Sequence, residues 1–451
     1  MIETGLPEGR SFIKNKKLLM KNIITNSWIG LGLVLLLTAC KKDYGNLNSP
    51  TSESFLANAS SSELNNLVSG TESGMRNNVA LYLDDVGTIG REGYRFSASE
   101  PRYVSDLLGA SNAVLSNSNF YITNPWASRY RVVKNCNLLA AAATRSTLIS
   151  PAEKLGYIGF ARTIKAYQLL LNLNLTDSNG IRIDVENPDQ LGPFVSYTDA
   201  LTAITAILDS AKTDLTGATI SFSLSNGFAG FDDAAGLLKF NRALAARVAI
   251  YAAQWSTALT DLTASFFDLN GDMVKGVYHV FSSGSGDQLN PAYIPQVQTG
   301  EIRIAHPSYA TDILPGDDRI GKATSRPSAS LDGLSSDRDV WVYTSSTAPM
   351  SIIRNEELIL IYAEANIQTN DFPDAITALN IIRAKHNLAP YSGASTQEDL
   401  ITELLYERRY SLFYEGHRWI DMRRYKLLNQ LPLDRVGDDV WSYFPLPVSE
   451  Q

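Results

Sequence analysis

The sequence predicts a mainly α-helical protein in which pairs of helices are separated by long irregular loops. The chain of 451 residues is 44% apolar and 19% charged, which is enough to bury a large core and too apolar for a disordered protein. Apolar residues recur at helical spacing in many segments. Two long stretches, residues 82–125 and 270–350, lack that spacing and are rich in Gly, Pro, Ser and Asp.

Each predicted helix has one apolar face. In residues 129–143, the apolar side chains at positions 132, 133, 136, 139 and 140 fall on the same face. The next helix opens at Pro151, where a proline is tolerated because its missing N–H would be unpaired at a helix start. The same spacing predicts helices over residues 151–173, 197–211, 239–253, 256–264, 355–368, 373–386 and 396–414.

Three of these helices share a pattern of an aromatic, a small and a large aliphatic residue at i, i+3 and i+7, which lie along one helix face. The triples are Tyr197–Ala200–Ile204, Trp255–Ala258–Leu262 and Phe372–Ala375–Leu379. The pattern resembles the second helix of a tetratricopeptide repeat, in which the small residue lets a neighbouring helix approach closely. The copies are far apart, so we expect interrupted helix pairs. The alternative is that amphipathic helices produce such triples by chance.

The N-terminus has the features of a lipoprotein signal peptide. A lysine-rich stretch precedes the apolar segment from Trp28 to Leu37, which is short for a membrane span but suits a signal peptide. The segment ends in Leu-Thr-Ala before Cys40, which resembles a bacterial lipobox. We therefore predict a signal peptide over 1–39, a lipidated tether over 40–60 and one domain over 61–451. The alternatives are an uncleaved membrane anchor and a start at Met20.

Charge and composition argue against several functions. The net charge is −8 and no run of Lys or Arg lies beyond the N-terminus, which disfavours a nucleic-acid partner. Two cysteines, Cys40 and Cys136, cannot build a disulfide scaffold, and four unclustered histidines argue against a zinc domain. The sequence predicts neither a metal site nor a cofactor.

The C-terminal quarter carries a series of motifs. They are Ile353-Arg354-Asn355-Glu356-Glu357-Leu358, Tyr362-Ala363-Glu364-Ala365, Ala378-Leu379-Asn380 with Arg383, Glu407-Arg408-Arg409, Glu415-Gly416-His417-Arg418-Trp419, Asp421 with Arg423-Arg424, and Phe444-Pro445-Leu446-Pro447 with Glu450. Their order and spacing resemble the SusD/RagB family of nutrient-binding outer-membrane lipoproteins. Earlier landmarks are also similar: Trp126 with Tyr130, Ala161-Arg162 with Ala166-Tyr167, and Asp317-Asp318-Arg319. The chain departs from the family pattern at residues 172–180 and at its end.

The resemblance implies a SusD-like fold with a helical-repeat side and a loop-rich ligand side. It implies a lipid-anchored outer-membrane protein, exposed at the cell surface, that captures a glycan for import through a TonB-dependent SusC-like transporter. The helical side would dock on that transporter. The family activity needs no cofactor. Alternatives are a peptide-binding RagB-like protein, a surface glycoside hydrolase and a helical scaffold without a ligand.

Aromatic residues of the two loop stretches are the predicted ligand residues. The apolar C–H faces of sugar rings pack on flat aromatic rings, and Asn, Asp or Arg can bind their hydroxyls. The candidates are Tyr82, Tyr94, Arg95, Tyr103, Tyr278 and Tyr309. The alternative for each is a place in the core of the loops.

Glu407 and Glu415 are the carboxylates that a glycoside hydrolase would need. Eight residues on one helix separate them by about 12 Å, wider than either hydrolytic geometry. The arginines at 408, 409, 418 and 423 would hold both carboxylates ionised, which is unsuitable for a general acid. We therefore predict a structural charge network and no catalytic residue. His417 has no neighbouring metal-ligand pattern, and Ser285 lacks the context of a hydrolase nucleophile.

Overall fold

The structure is a computed structural model and describes residues 57–450. The predicted signal peptide, Cys40 and most of the tether lie outside these residues. The helices are α1 Ser61–Met75, α2 Val79–Ile89, α3 Arg102–Leu108, α4 Phe120–Arg145, α5 Pro151–Thr176, α6 Tyr197–Thr216, α7 Ala234–Tyr251, α8 Trp255–Thr263, α9 Pro307–Asp312, α10 Asn355–Gln368, α11 Phe372–Lys385, α12 Gln397–Ser411 and α13 Arg418–Arg424. The mainly helical class is confirmed.

The long helices pack in chain order. Helix α4 packs on α1 and α5, α5 on α6, α6 on α7, and α7 on α8. After the second loop stretch, α10 packs on α8, α11 and α12. The array is one continuous helical layer whose buried faces form most of the core.

The repeated triples identify helices that pack on the helix before them. Helices α6, α8 and α11 carry the triples, and each packs on its predecessor α5, α7 or α10. Their small residues, Ala200, Ala258 and Ala375, are fully buried. Interrupted pairs of the predicted kind are therefore present, because alanine allows close approach of the two helix backbones.

Side-chain caps fix several helix starts. In α5, the Ser150 hydroxyl accepts a hydrogen bond from the Glu153 N–H, and the Glu153 carboxylate accepts one from the Ser150 N–H. This reciprocal pair satisfies two donors that would otherwise be unpaired at the helix start. Helix α4 begins at Phe120, nine residues before the predicted start. Tyr121, Ile122 and Trp126 continue its buried face, but Pro125 among them is a residue that normally marks the end of a helix.

The two loop stretches are more regular than expected. Residues 82–125 contain most of α2 and all of α3, and strands occupy much of 270–350. The strands are β1 Gly93–Phe96, β2 Ile181–Arg182, β3 Phe194–Val195, β4 Gly276–His279, β5 Ile302–Ala305, β6 Ala323–Leu331, β7 Leu334–Val340 and β8 Met350–Arg354. The sheet order is β1-β5-β7-β6, all antiparallel, and β4 pairs with β8 and β2 with β3. The helices and strands within these stretches were not predicted, whereas the segments between them are irregular as expected.

The hairpin between β6 and β7 turns at Asp332-Gly333, where φ is 51° and 76°. Two successive residues with positive φ form the turn that matches strand twist, and Asp-Gly is a preferred pair for it. The two strands of the hairpin are largely polar and lack the apolar alternation that predicts a strand, so the Asp-Gly turn was not recognised. None of the helices within residues 57–450 combines the length and apolar character of a membrane span.

Candidate ligand site

Three predicted ligand tyrosines belong to the core. Tyr82, Tyr94 and Tyr309 expose 3%, 1% and 1% of their surface. The Tyr82 hydroxyl accepts a hydrogen bond from Asn174, and the Tyr309 hydroxyl donates one to the Arg319 carbonyl at 2.8 Å. The expectation that these rings offer a free face to a sugar is corrected, because protein already covers both faces.

Strand alternation explains why Tyr94 is buried beside the more exposed Arg95. Tyr94 and Phe96 lie on the same face of β1, with ring centroids 5.8 Å apart and nearly parallel planes. Their face packs against α3 and the side chains of β5. Arg95 lies on the opposite face, directly across from Arg303 of β5.

Asp84 of α2 organises that opposite face. Its carboxylate, fully buried, accepts hydrogen bonds from Arg95 at 2.8 Å, Arg303 at 2.6 and 2.8 Å, and the Tyr414 hydroxyl at 2.6 Å. Burial opposes ionisation, but the two guanidinium groups outweigh it and lower the pKa of Asp84. Asp84 therefore stays charged and holds Arg95 in place.

Arg95 is partly exposed and covers Tyr103, which is buried with 9% of its surface exposed. The Arg95 guanidinium lies 4.1 Å from the centre of the Tyr103 ring, and Tyr103 packs edge-on against Phe120 at 5.1 Å. Arg102 lies over the other aromatic ring, 5.0 Å from the centre of Phe120. We call Arg95, Arg102, Tyr103 and Phe120 the arginine–aromatic patch. Tyr278 is half-buried on β4, outside this patch, with its hydroxyl bonded to the Val274 carbonyl.

A second group of aromatic rings was missed by the sequence analysis. Tyr293 and Trp341 are both partly exposed, with ring centroids 6.1 Å apart and planes inclined by 51°. Gln296 and Thr324, linked by a 2.8 Å hydrogen bond, add exposed polar groups from the same loop and from β6. We call Tyr293 and Trp341 the aromatic pair. The sequence feature that could have indicated this group is Trp341, a tryptophan in a polar, loop-rich stretch.

Buried arginine contacts join the aromatic pair to the patch. Arg303 donates to the carbonyls of Pro291 and Ala292 at 3.0 and 3.1 Å, just before Tyr293. The same guanidinium binds Asp84, which also binds Arg95. Asp84 and Arg303 therefore form one buried anchor beneath both surfaces.

Glu407 and Glu415 belong to separate ion-pair clusters. Glu407 accepts a 2.6 Å bond from Arg319, and Glu415 accepts a 2.9 Å bond from Arg354. The expected arginine partners are wrong: Arg408 pairs with Asp421, Arg409 with Asp312 and Arg423 with Asp177. The structural role is confirmed, since Arg319 links the loop half to α12.

Burial alters the protonation of Glu407. Desolvation raises its pKa above the ordinary range, against the opposing charge of Arg319. This direction is opposite to the expectation that the arginines lower the pKa of Glu407. Burial also lowers the pKa of His417 to about 4, so its imidazole is neutral near pH 7. Within residues 57–450, no cluster of His, Cys, Asp or Glu is suited to a metal ion.

The buried carboxyl group of Glu92, which follows α2, is expected to make the stability of the protein depend on pH. Desolvation raises the pKa of its buried carboxyl to about 8, although it accepts a hydrogen bond from the Tyr414 N–H. The folded state therefore binds a proton that the unfolded state releases above about pH 4.5, so the parent loses stability as pH rises from about 4.5 to 8. We expect Glu92→Gln to match the parent in urea unfolding at pH 5 and to exceed it at pH 9. An equal difference at both values, or one shared by the exposed control Glu398→Gln, would contradict this.

A family model and several solved structures are similar to this chain. Residues 315–437 match the sequence model of the SusD family. This segment is therefore similar to the SusD family. The matched segment includes Arg319, Arg354, Glu407, Glu415 and Asp421, which form the buried ion-pair clusters described above. The family resemblance of the sequence is thus confirmed.

Solved structures show the same SusD-like fold across most of the chain. Surface glycan-binding protein A from Bacteroides thetaiotaomicron is 13% identical, with a TM-score of 0.68 over 88% of this chain and 97% of that one. The protein of the same description from Bacteroides uniformis is 16% identical, with a TM-score of 0.64 over 86% and 97%. A SusD superfamily protein from Bacteroides vulgatus is 16% identical, with a TM-score of 0.65 over 86% and 96%. A search of curated proteins finds no match.

Proposed function

We propose that this SusD-like protein captures a glycan at the cell surface and delivers it to a SusC-like TonB-dependent transporter. The aromatic pair is the observation that carries the proposal, because it presents two partly exposed rings on the loop-rich half. Similarity to structures described as surface glycan-binding proteins supports the ligand class. The helical side is the proposed docking face for the transporter.

The aromatic pair has the chemistry of a sugar platform. Each ring removes apolar sugar C–H surface from water without burying a charge, and contributes roughly 1–2 kcal/mol. The planes of the Tyr293 and Trp341 rings are inclined by 51°, so each ring would pack against a sugar unit of different orientation. Gln296 and Thr324 supply amide and hydroxyl groups for the sugar hydroxyls. Binding in the micromolar to millimolar range is expected, since an open surface keeps solvent and ordering a flexible chain costs entropy.

A glycan array on the full chain, followed by calorimetry with the best oligosaccharide, tests this site. We expect the double variant Tyr293→Ala/Trp341→Ala to lose at least thirtyfold in affinity, because two rings contribute about 2–4 kcal/mol. Tyr443→Ala is the matched control, since Tyr443 is 44% exposed outside the pair. Circular dichroism checks folding. Unchanged affinity in the folded double variant would refute the site.

The arginine–aromatic patch is the second candidate surface within the same proposal. Arg95 and Tyr103 are the sequence-predicted residues that the structure brings together, with Arg95 partly exposed over the buried Tyr103 ring, whereas Tyr278 stands apart. Loss of affinity in Tyr103→Ala with no change in the pair variant would move the site to this patch. Preference for peptides over every glycan would favour the RagB-like alternative.

A glycoside hydrolase is disfavoured, and we propose a binding protein without catalysis. Glu407 is fully buried and Glu415 is largely buried, and each is bonded to an arginine of its own cluster. A substrate would have to displace Arg319 or Arg354 to reach either carboxylate. Product formation from the bound oligosaccharide by the purified chain would overturn this part of the proposal.

The proposed location is the outer membrane, with a lipid anchor on Cys40. We expect Cys40→Ala to abolish labelling by a fatty-acid probe, because Cys136, the other cysteine, is buried. The measurement is metabolic labelling of parent and variant in the native host, with Cys136→Ala as the matched control. Labelling that persists in Cys40→Ala and disappears in Cys136→Ala would contradict the prediction.

A further inference from the structure

A cavity of about 840 Å³ lies in the helical half, among residues that the proposed ligand site does not use. Residues of α4 and α6 form its walls, and residues of α5, which packs between them, form its floor. The segment 182–191 borders one side. A cavity of this volume is large enough for a small ligand or several residues of an extended peptide.

The lining is mostly apolar and contains many small side chains. Leu138 and Ala141 lie one turn apart on α4, and Ala206 and Ile207 face them from α6. Alanines at these positions leave space between helices that larger residues would fill. Tyr130 is the aromatic residue of the lining, so stacking with a chain of sugar rings is poorly supported.

Cationic side chains dominate the polar part of the lining. Lys134, Arg162, Lys165 and Arg182 line the cavity. Lys165 pairs with Glu186 and Arg182 with Glu450, both in the lining, and Arg162 pairs with Asp214 beside it, so the net positive charge is that of Lys134. The whole chain carries a net charge of −8, so this local excess of positive charge contrasts with the protein's overall balance. Excess positive charge in a concave surface with low-dielectric walls attracts anions.

The cations differ in how fully they are paired. Lys134 is exposed and has no ion-pair partner among residues 57–450. Lys165 is only 8% exposed, and its partner at 3.2 Å is Glu186, whose side chain is 70% exposed. An exposed carboxylate can exchange for one from a ligand at low cost, whereas an unpaired buried ammonium would be unfavourable.

Asn137 adds an independent indication of a ligand. Its side-chain nitrogen is buried from solvent and has no acceptor among the described residues, and Asn137 lines the cavity one turn from Lys134. A buried donor without a partner costs roughly 1–3 kcal/mol, which an acceptor on an occupant would recover. A carboxylate oxygen could accept from both Asn137 and a neighbouring lysine.

We infer that this cavity, which we call the groove, binds an extended acidic peptide in which carboxylates alternate with apolar side chains. The carboxylates would pair with Lys134 and Lys165, and the apolar side chains would occupy the space beside Ala141 and Leu138. The occupant is a segment of a partner protein with this composition. The inference does not depend on the glycan site, because the two surfaces share no residue.

Fluorescence anisotropy on the full chain tests the inference. The probe is a fluorescein-labelled ten-residue peptide in which glutamate alternates with leucine and alanine, and its counterpart carries lysine in place of each glutamate. We expect the acidic peptide to bind at least tenfold more tightly than the lysine peptide, and to weaken as NaCl rises from about 50 to 500 mM because the contacts are partly ionic.

Three variants locate the binding. We expect Lys134→Glu to weaken the acidic peptide at least fivefold and Ala141→Trp, which fills the groove without changing charge, at least tenfold. Lys212→Glu makes the same charge change at an exposed position outside the lining and should stay within twofold. Equal binding of both peptides, or no effect of Ala141→Trp, would overturn the inference.

Competition distinguishes the other occupants. Hexagalacturonate, laurate and the unlabelled acidic peptide are each titrated against the bound probe. If hexagalacturonate or laurate displaces the probe at a lower concentration than the peptide does, the occupant is an acidic glycan or a fatty acid and the inference fails. The pair variant Tyr293→Ala/Trp341→Ala should bind the acidic peptide normally. A failed glycan titration would therefore leave this result unaffected.

Discussion

Asp84→Ala is expected to destabilise the protein by about 3–5 kcal/mol. Removing this carboxylate leaves the buried guanidinium of Arg303 without its ionic partner, and uncompensated buried charges have costs of this size. The Tyr414 hydroxyl also loses its acceptor. Urea unfolding followed by circular dichroism gives the free-energy difference, with the exposed Asp189→Ala as the control.

The same substitution is expected to weaken glycan binding, because Arg303 positions the loop that carries Tyr293. In the fraction that stays folded, the affinity should fall towards that of the aromatic pair variant. A loss of stability below about 1 kcal/mol would show that Arg303 finds another partner. Full stability loss with unchanged affinity would separate the anchor from the ligand site.

Asp421→Asn is expected to cost a similar amount, about 3–5 kcal/mol near neutral pH. Asp421 is buried between Arg408 at 2.7 Å and Arg424 at 2.8 Å. Two nitrogens of Arg408 already lack a hydrogen-bond partner among the described residues, so the variant would leave a buried charge without compensation. Thermal and urea unfolding of parent and variant measure the difference, with the exposed Asp232→Asn as the control.

This cost should depend on pH in a defined direction. Burial opposes ionisation of Asp421, but Arg408 and Arg424 outweigh it and lower its pKa to about 2. The stabilising contribution is therefore complete above about pH 4 and is lost as pH falls towards 2. The gap between parent and variant should be constant from pH 7 to 5 and smaller at pH 3. A gap that widens on acidification would contradict the assigned charge state.

The helices of the array could be predicted because their signal is local. A helix that packs on one side carries an apolar face at fixed spacing, as α6 does by burying Ala200, Ile204 and Leu208, and α6 begins at the predicted Tyr197. Helix α2 escaped prediction because every residue from Val79 to Ile89 is buried, including Asp84 and Asp85, so no polar face marks its period. The β6–β7 hairpin escaped because its strands are largely polar.

The residues predicted to bind the ligand and the aromatic pair proposed from the structure lie in the same two loop stretches but are different residues. Arg95 is partly exposed, whereas Tyr103 is buried beneath it and Tyr94 is covered by residues more than two hundred positions away in β5. Trp341 and Tyr293, the proposed pair, are not among the predicted residues, because a tryptophan in a polar stretch is a signal of function that does not show whether its ring is exposed or buried.

The sequence by itself determined the helical class, the repeated triples and the family motifs, since each depends on residues a few positions apart. The tertiary structure decided which aromatic rings face solvent, which arginine pairs with Glu407, and that α4, α5 and α6 enclose a cationic groove. Those properties depend on which distant segments cover a side chain. Burial and pairing are therefore set by packing between elements, and composition and spacing within one element do not encode them.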